Sequence, residues 1–380
     1  VFNVRLINKV LWDEGRGAER VSGQHPRHGR LRKSPRECFA TRDWGGLSMQ
    51  CELQAAPLLS GAHPALADPW ELAINASGDV VMAVLTETRG PAYRLPGAAM
   101  AILPDGSFSG AITSGCVEAD LILNASDVRN TGDVRVLRYG EGSTFIDIRL
   151  PCGGGIEVML FPLRDVEVLG KLAKARKLRR PVSLQISKSG RLTLGPITET
   201  KNDAHGFALG FEPPLQFLTF GAGPEASVFA ALVEGLGYEQ QLVSHDAMTL
   251  ASTRASGNKC RELTNLSELF ALQIDARTAA VLFYHDHDYE PEIIKHLLST
   301  PAFYIGAQGS RATQRSRLQR LEEIGVSLDR SSRVRGPIGV IPSSRDPKSL
   351  AVSVLAEIMA AGSQVSKASE QPNLKKECCL

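Results

Sequence analysis

The chain has 380 residues, 43% hydrophobic, 22% charged and 6% aromatic, and its 43 basic and 41 acidic side chains leave a formal charge of +2. That balance supplies no global field for nucleic acid or a membrane surface, and no apolar run approaches the roughly 18–20 residues that span a bilayer. Seven cysteines, an odd number, do not make a disulfide scaffold, so the expectation is a reduced, cytoplasmic protein with two separate cores.

Residues 1–66 open the chain with a basic, polar stretch in which Gln24-His25-Pro26-Arg27-His28-Gly29-Arg30 shows no apolar period. Such a segment buries too little surface to offset its ordering entropy and is expected to be disordered. Asp68-Pro69-Trp70 reads as a helix start, with a capping carboxylate and proline in the first turn. Val80 to Thr86 is a β-rich run. Met100 to Leu103 and Phe108 to Ile112, joined through Asp105-Gly106, predict a hairpin. Val117 to Asn124 suits a helix, and Asp133 to Tyr139, Thr144 to Arg149 and Ile156 to Pro162 suit strands. Pro181 to Leu194 carries a second hairpin turn at Ser189-Gly190. These residues predict an α+β domain over 67–195, then a linker over 196–213 rich in Pro, Asn, Asp and Gly.

From 214 to 362 the pattern changes to strand–helix alternation. Leu215 to Phe220, Gln241 to Ser244, Ala279 to Tyr284 and Ala302 to Ile305 read as buried strands. Ala226–Leu236, Glu292–Leu298, Thr313–Ile324 and Lys348–Ala360 read as helices. The fold class is α/β, with a Rossmann-like doubly wound parallel sheet in the second domain. Residues 363–380 read as a flexible tail.

Several constellations carry chemistry. Gly221-Ala222-Gly223 follows a strand and opens a helix, where glycines permit a tight turn and the helix terminus offers N–H groups to an anion; the alternative is glycines that serve the turn alone. Asp246 stands 23 residues beyond Gly223, near the end of the next strand, where a ribose-binding carboxylate would sit. Ser114-Gly115-Cys116-Val117-Glu118 places a thiol at a helix start, which lowers its pKa, with Glu118 opposing that effect unless it accepts a proton or binds a ligand. A buried structural cysteine is the alternative. Cys152, before Gly153-Gly154-Gly155, is a second thiol in the same domain, and the two lack zinc spacing. His285-Asp286-His287-Asp288 follows a strand at its carboxyl end, as a polar loop against a ligand rather than a metal site. Gly309-Ser310-Arg311, with Arg315 one helical turn on, could hold a phosphate or form a solvated face.

In order, these motifs resemble the XdhC/CoxI family, accessory proteins of molybdenum hydroxylases such as xanthine dehydrogenase. The resemblance runs over about residues 68–362. It rests on Thr86-Glu87-Thr88-Arg89-Gly90, Arg94-Leu95-Pro96-Gly97, Ser114-Gly115-Cys116-Val117-Glu118, Cys152-Gly153-Gly154 and Gly221-Ala222-Gly223. It continues through His285-Asp286, Tyr304-Ile305-Gly306-Ala307-Gln308-Gly309-Ser310-Arg311, Pro337-Ile338-Gly339 and Ala351 to Ile358. It implies a chaperone rather than an enzyme. Such a protein holds molybdopterin or the molybdenum cofactor as cargo, supports sulfuration by a cysteine desulfurase, and inserts the cofactor into the large subunit of the hydroxylase, with a homodimer as the expected assembly. It also implies that Cys116, Glu118, Arg89, Arg94, Cys152 and the glycine turns face the cargo. The chain departs from the family pattern at Ser114, at Pro91-Ala92-Tyr93 and at Gly223-Pro224. The alternative function, from the glycine turn and His285, is an NAD(P)-dependent oxidoreductase; a third is an assembly component without a ligand.

Overall fold

The computed structural model describes residues 64–76, 79–113, 115, 117–141, 150, 153–285 and 288–369, with side chains to residue 363. Ser114, Cys116, Cys152, Asp286, the expected strand over Thr144–Arg149 and nearly all of the N-terminal extension lie outside the described residues. Two lobes are built within one compact unit, Glu52–Leu380.

The first lobe begins with α1 (Pro69–Asn75), whose N-cap Asp68 accepts from the amides of Trp70 and Glu71 at 2.8 and 3.3 Å. Five strands follow: β1 (Val81–Arg89), β2 (Ala99–Ile102), β3 (Phe108–Gly110), β4 (Arg135–Gly140) and β5 (Gly155–Pro162), with α2 (Glu118–Thr131) between β3 and β4. They form an antiparallel sheet in the order β3-β2-β1-β5-β4. The central strand is buried on both faces, and its alternation sorts one core from the other. Val81, Ala83 and Leu85 pack with Leu121, Ala125 and Val128 of α2, whereas Met82 and Val84 pack with Trp70 and Phe161 on the opposite face. Burying each large apolar side chain contributes about 1.5–3 kcal/mol, so both coverings are needed.

The second covering corrects the expected linker. After α3 (Val166–Lys177) come β6 (Val182–Ser187), β7 (Leu192–Pro196), β8 (Lys201–Asp203) and β9 (Gly206–Phe211), in the sheet order β7-β6-β9-β8. Residues 196–213 therefore do not link two domains as loop. They carry β8 and β9, and Phe207 and Leu209 of β9 enter the same core as Met82 and Phe161. The turn residues that suggest a linker serve hairpin corners instead: His205 N donates to the Asp203 side chain at 2.8 Å, and Gly206 has φ +147°.

The second lobe alternates strands β10 (Gln216–Gly221), β11 (Glu239–Ser244), β12 (Cys260–Glu262), β13 (Thr278–Phe283), β14 (Tyr304–Ala307) and β15 (Val334–Arg335) with helices. The helices are α4 (Pro224–Gly235), α5 (Ala247–Ala255), α6 (Glu290–Leu298), α7 (Arg311–Glu323), α8 (Leu328–Ser331) and α9 (Pro347–Ser369). All strand pairs are parallel, in the order β12-β11-β10-β13-β14-β15. The chain winds outward from β10 in one direction, then restarts at β13 in the other. The carboxyl ends of β10 and β13 thus flank the switch point, where doubly wound sheets bind ligands. In β13, Ala279, Val281 and Phe283 meet the α4 and α9 side while Ala280 and Leu282 meet α6 and α7. Helix α9 runs through Ser369, so the first residues of the expected tail continue a helix. No helix among the described residues is long and apolar enough to cross a membrane.

Candidate functional site

The carboxyl edge of the parallel sheet collects most of the described residues singled out in the second lobe. Gly221 ends β10 with φ +149°, and a Cβ there would lie 2.3 Å from the Phe283 carbonyl oxygen, so only glycine permits the close approach of β10 to β13. The turn then spends its donors internally. The Ala222 amide donates to the Phe283 carbonyl at 3.3 Å, and the Gly223 amide donates to Thr249 Oγ1 at 2.8 Å. Pro224 has no N–H, and Glu225 follows it with its carboxylate 3.4 Å from His285 Nε2. A dinucleotide site needs free amides and no acid at this point. The turn has the glycines of such a site, with the Ala222 and Gly223 amides committed and no N–H at Pro224.

Asp246 is the N-cap of α5 and accepts from the Thr249 amide at 2.8 Å and the Thr249 hydroxyl at 2.5 Å. The Thr249 hydrogen bonds, side chain first, hold the Asp246 carboxyl below its ordinary range. Asp246, Thr249 and Gly223 thus form a relay that fixes the glycine turn, with the carboxylate in a capping role.

Three residues that motif reading passes over stand beside this turn. His245 follows β11, Tyr284 follows β13, and Tyr289 precedes α6. The imidazole and the two phenol rings cluster nearly parallel, with centroids 5.7 Å apart for His245 and Tyr284, 4.0 Å for His245 and Tyr289, and 6.0 Å for Tyr284 and Tyr289. Tyr284 is 2% exposed, and burial, reinforced by the negative charge of Glu290, pushes its hydroxyl well above the ordinary phenol range. The Tyr284 hydroxyl, His245 Nδ1 and Gln308 Oε1, at the ends of β13, β11 and β14, are buried without a hydrogen-bond partner. Buried polar atoms are nearly always satisfied. No sequence motif marks them; their one signal is position, directly after buried strands.

Gly309-Ser310-Arg311 follows β14. Ser310 caps α7, accepting from the Thr313 amide at 3.1 Å, and Arg311 and Arg315 are exposed. The buried cation of this helix is Arg317. It contacts Glu290 at 2.8 and 3.2 Å, Gln314 Oε1 at 2.5 Å and the Gln308 carbonyl at 2.7 Å. Asp288, in the loop that starts at His285, pairs with Arg320 at 3.2 Å.

In the first lobe the loop before α2 is tied by Glu118. Its carboxylate accepts from the amides of Ile112, Thr113 and Val117 at 3.2, 2.6 and 3.2 Å and from the Thr113 hydroxyl at 2.7 Å. Burial raises its pKa, yet these hydrogen bonds outweigh burial and hold it below the usual carboxylate range. Glu118 therefore ties Ile112 and Thr113 to the start of α2. Gly115 is exposed at φ +105°, with open space where a Cβ would be. The strand-end loop at Arg89-Gly90 and the glycines after Cys152 meet through backbone. A Cβ on Gly154 would lie 2.6 Å from the Arg89 carbonyl oxygen, while the exposed Arg89 side chain pairs with Glu87 at 3.0 Å. Arg94 lines a cleft of about 430 Å³ with Trp70, Gly97, Gly110 and Phe211.

Residues 73–140 match the XdhC and CoxI family, and residues 217–358 match the XdhC Rossmann domain. The molybdenum cofactor insertion chaperone PaoD of Escherichia coli K12 is 34% identical over 288 residues, 75% of this chain and 84% of its own length. The chain belongs to the XdhC and CoxI family. A probable xanthine dehydrogenase component of Bacillus subtilis 168 is 25% identical over 76% of this chain and 94% of its own. A crystal structure described as a xanthine dehydrogenase from Bacillus halodurans has a TM-score of 0.64 at 21% identity, covering 80% of this chain and 97% of that one, a likeness of fold. Three separated XdhC/CoxI motifs meet in the second lobe. Glu357 accepts from the Tyr304 hydroxyl at 3.0 Å and from the Gly339 amide at 2.5 Å, drawing α9, β14 and the Pro337-Ile338-Gly339 turn together.

Proposed function

We propose that this chain is a molybdenum cofactor insertion chaperone. It holds the cofactor as cargo, shields it while a cysteine desulfurase supplies sulfur, and delivers it to the large subunit of a xanthine dehydrogenase-type hydroxylase. The observation that carries this reading is the likeness to an insertion chaperone over 75% of the chain, which spans both lobes. The geometry supports it in two ways. Glu118 is committed to three amides and a hydroxyl around the start of α2, so it holds the start of that helix in shape and is not a free carboxylate. The Gly223 amide is committed to Thr249, which disfavours the nucleotide phosphates that an NAD(P)-dependent enzyme requires at that turn.

In this reading Cys116 touches the cargo from the loop formed by Ser114 and Gly115. Arg89 and Arg94 lend positive charge to its phosphate, and Cys152 lies on the neighbouring glycine loop. His285, Asp286, Gly309, Ser310 and Arg311 border the second lobe's edge. The chain works as a homodimer in the cytoplasm. Protein purified from a cofactor-producing host is expected to carry pterin, seen as its fluorescent oxidation products, and to activate an apo-hydroxylase; Cys116→Ala loses both. Wild-type protein that carries no pterin and binds none overturns the reading, as does turnover with NAD(P).

A further inference from the structure

Three of the six buried side-chain polar atoms left without a hydrogen-bond partner among the described residues sit at the carboxyl edge of one sheet: His245 Nδ1, the Tyr284 hydroxyl and Gln308 Oε1. His245 and Tyr284 come from strands on either side of β10, and their rings stack across its end, just past Gly221. Tyr289, 4.0 Å from the imidazole and 6.0 Å from the Tyr284 ring, is 43% exposed and opens the cluster to solvent. Leaving a hydroxyl or an imidazole nitrogen unpaired in a buried site is costly, and the cost is recovered when a ligand brings the missing partner.

The character of the edge selects that ligand. Its amides at Ala222 and Gly223 are already used, and Arg317 is fully engaged with Glu290, Gln314 and the Gln308 carbonyl. The groups that remain are the Gln308 amide oxygen, which accepts, and the imidazole and the Tyr284 hydroxyl, which can each accept or donate, beside the Glu225 carboxylate and the aromatic face of Tyr289. An anion would meet the Glu225 carboxylate here. A flat, uncharged ring bearing several N–H donors is well served, because it stacks on Tyr289 and gives its protons to these acceptors.

We infer that the carboxyl edge of the second lobe, at His245, Tyr284, Tyr289 and Gln308, binds a 2-amino-4-oxopyrimidine ring, the heterocycle shared by pterins and guanine. This rests on the cofactor-chaperone reading and adds to it: the second lobe reads the cargo's ring, not its phosphate. The pterin is the source the proposed function supplies, and guanosine is the competing one.

The test uses the full-length protein and free pterin (2-amino-4-oxopteridine), with guanosine and ADP as comparison ligands, followed by fluorescence titration and calorimetry. Wild-type protein is expected to bind pterin more tightly than guanosine and to show no affinity for ADP. Tyr284→Phe removes only the hydroxyl and should weaken pterin roughly tenfold, the effect of one lost buried hydrogen bond. Tyr289→Ala should weaken it by a similar factor through lost stacking. A structural role would be read separately: the unliganded Tyr284→Phe protein should melt at or above the wild-type temperature, since it sheds an unpaired buried hydroxyl. Unchanged pterin affinity in Tyr284→Phe, a lowered melting temperature that accounts for its loss, or tighter ADP than pterin binding overturns the inference. If wild-type protein co-purifies with cofactor while Tyr284→Phe binds pterin normally, only this inference falls. If wild-type protein carries and binds none, the chaperone reading falls with it.

Discussion

Glu118 shows how one side chain decides what its neighbours do. A carboxylate 7% exposed that accepts four hydrogen bonds is a structural anchor, and each bond to a charged group is worth about 1.5–3 kcal/mol. Glu118→Gln keeps the shape but replaces half of the acceptor with a donor facing amides that also donate. The expected loss is about 2–3 kcal/mol of unfolding free energy, read from the denaturant midpoint. The pH dependence follows from the lowered pKa. A carboxyl with a folded pKa below its unfolded value contributes stability above the unfolded pKa, near 4.3, and loses it as pH falls through the folded pKa. The acid limb of the stability curve should therefore be shallower in Glu118→Gln than in the wild type. Ser-Gly-Cys-Val-Glu is conspicuous in the sequence, yet the inward direction of its glutamate is not. That direction depends on Ile112 and Thr113 ending the β3 hairpin beside the helix start. The glycine turn teaches the same lesson: Gly221 and Gly223 are plain in the chain, but the hydroxyl that takes the Gly223 amide arrives from Thr249, on α5.

At the scale of elements, the plainest strands in the sequence are those with long apolar runs, β1, β5, β10 and β13, each buried on both faces. The elements that escaped include short or polar ones, and also β9, whose buried Phe207 and Leu209 stand among the glycines and prolines of the expected linker. Strand β8 is three exposed residues paired with β9, and α5 has the alternating small and polar side chains of a loop. In α7 the visible arginines, Arg311 and Arg315, are exposed, whereas the buried one, Arg317, meets Glu290 from α6 in a pair with both side chains 2% exposed or less. Such a pair gains little over an apolar replacement, but removing one partner strands the other charge. Arg317→Met should cost about 3–5 kcal/mol. The double variant Arg317→Met with Glu290→Leu should recover a large part of that loss. Thermal melts of the two single variants and the double variant give the coupling directly.

For the molecule as a whole, the two lobes are joined at the edge opposite the candidate site. Arg179, which follows α3 at φ +52°, is 11% exposed in its side chain. It donates to Asp275 at 2.8 Å, to the Pro214 carbonyl at 2.8 Å and to Glu239 at 3.2 Å. These partners precede or begin β13, β10 and β11, so one guanidinium holds three amino ends of the parallel sheet. The left-handed backbone at Arg179, which costs a non-glycine residue about 1–2 kcal/mol, closes α3: the Arg179 amide donates to the Arg176 carbonyl at 3.0 Å and the Arg180 amide to the Ala175 carbonyl at 2.9 Å. Arg179→Ala should leave the core of each lobe intact while loosening their docking. The radius of gyration from X-ray scattering should rise, and protease cutting should appear near Glu212–Leu215. Burial raises the Asp275 carboxyl pKa, but the Arg179 bond and donors from Arg277 and Thr278 outweigh it and hold the group below its usual range. The latch is then complete above an unfolded aspartate pKa near 3.9 and weakens as pH drops through the folded value. Wild-type protein should expand in scattering below about pH 4, and Arg179→Ala should already be expanded at neutral pH; equal dimensions for the two proteins at pH 7 would remove Arg179 from this role.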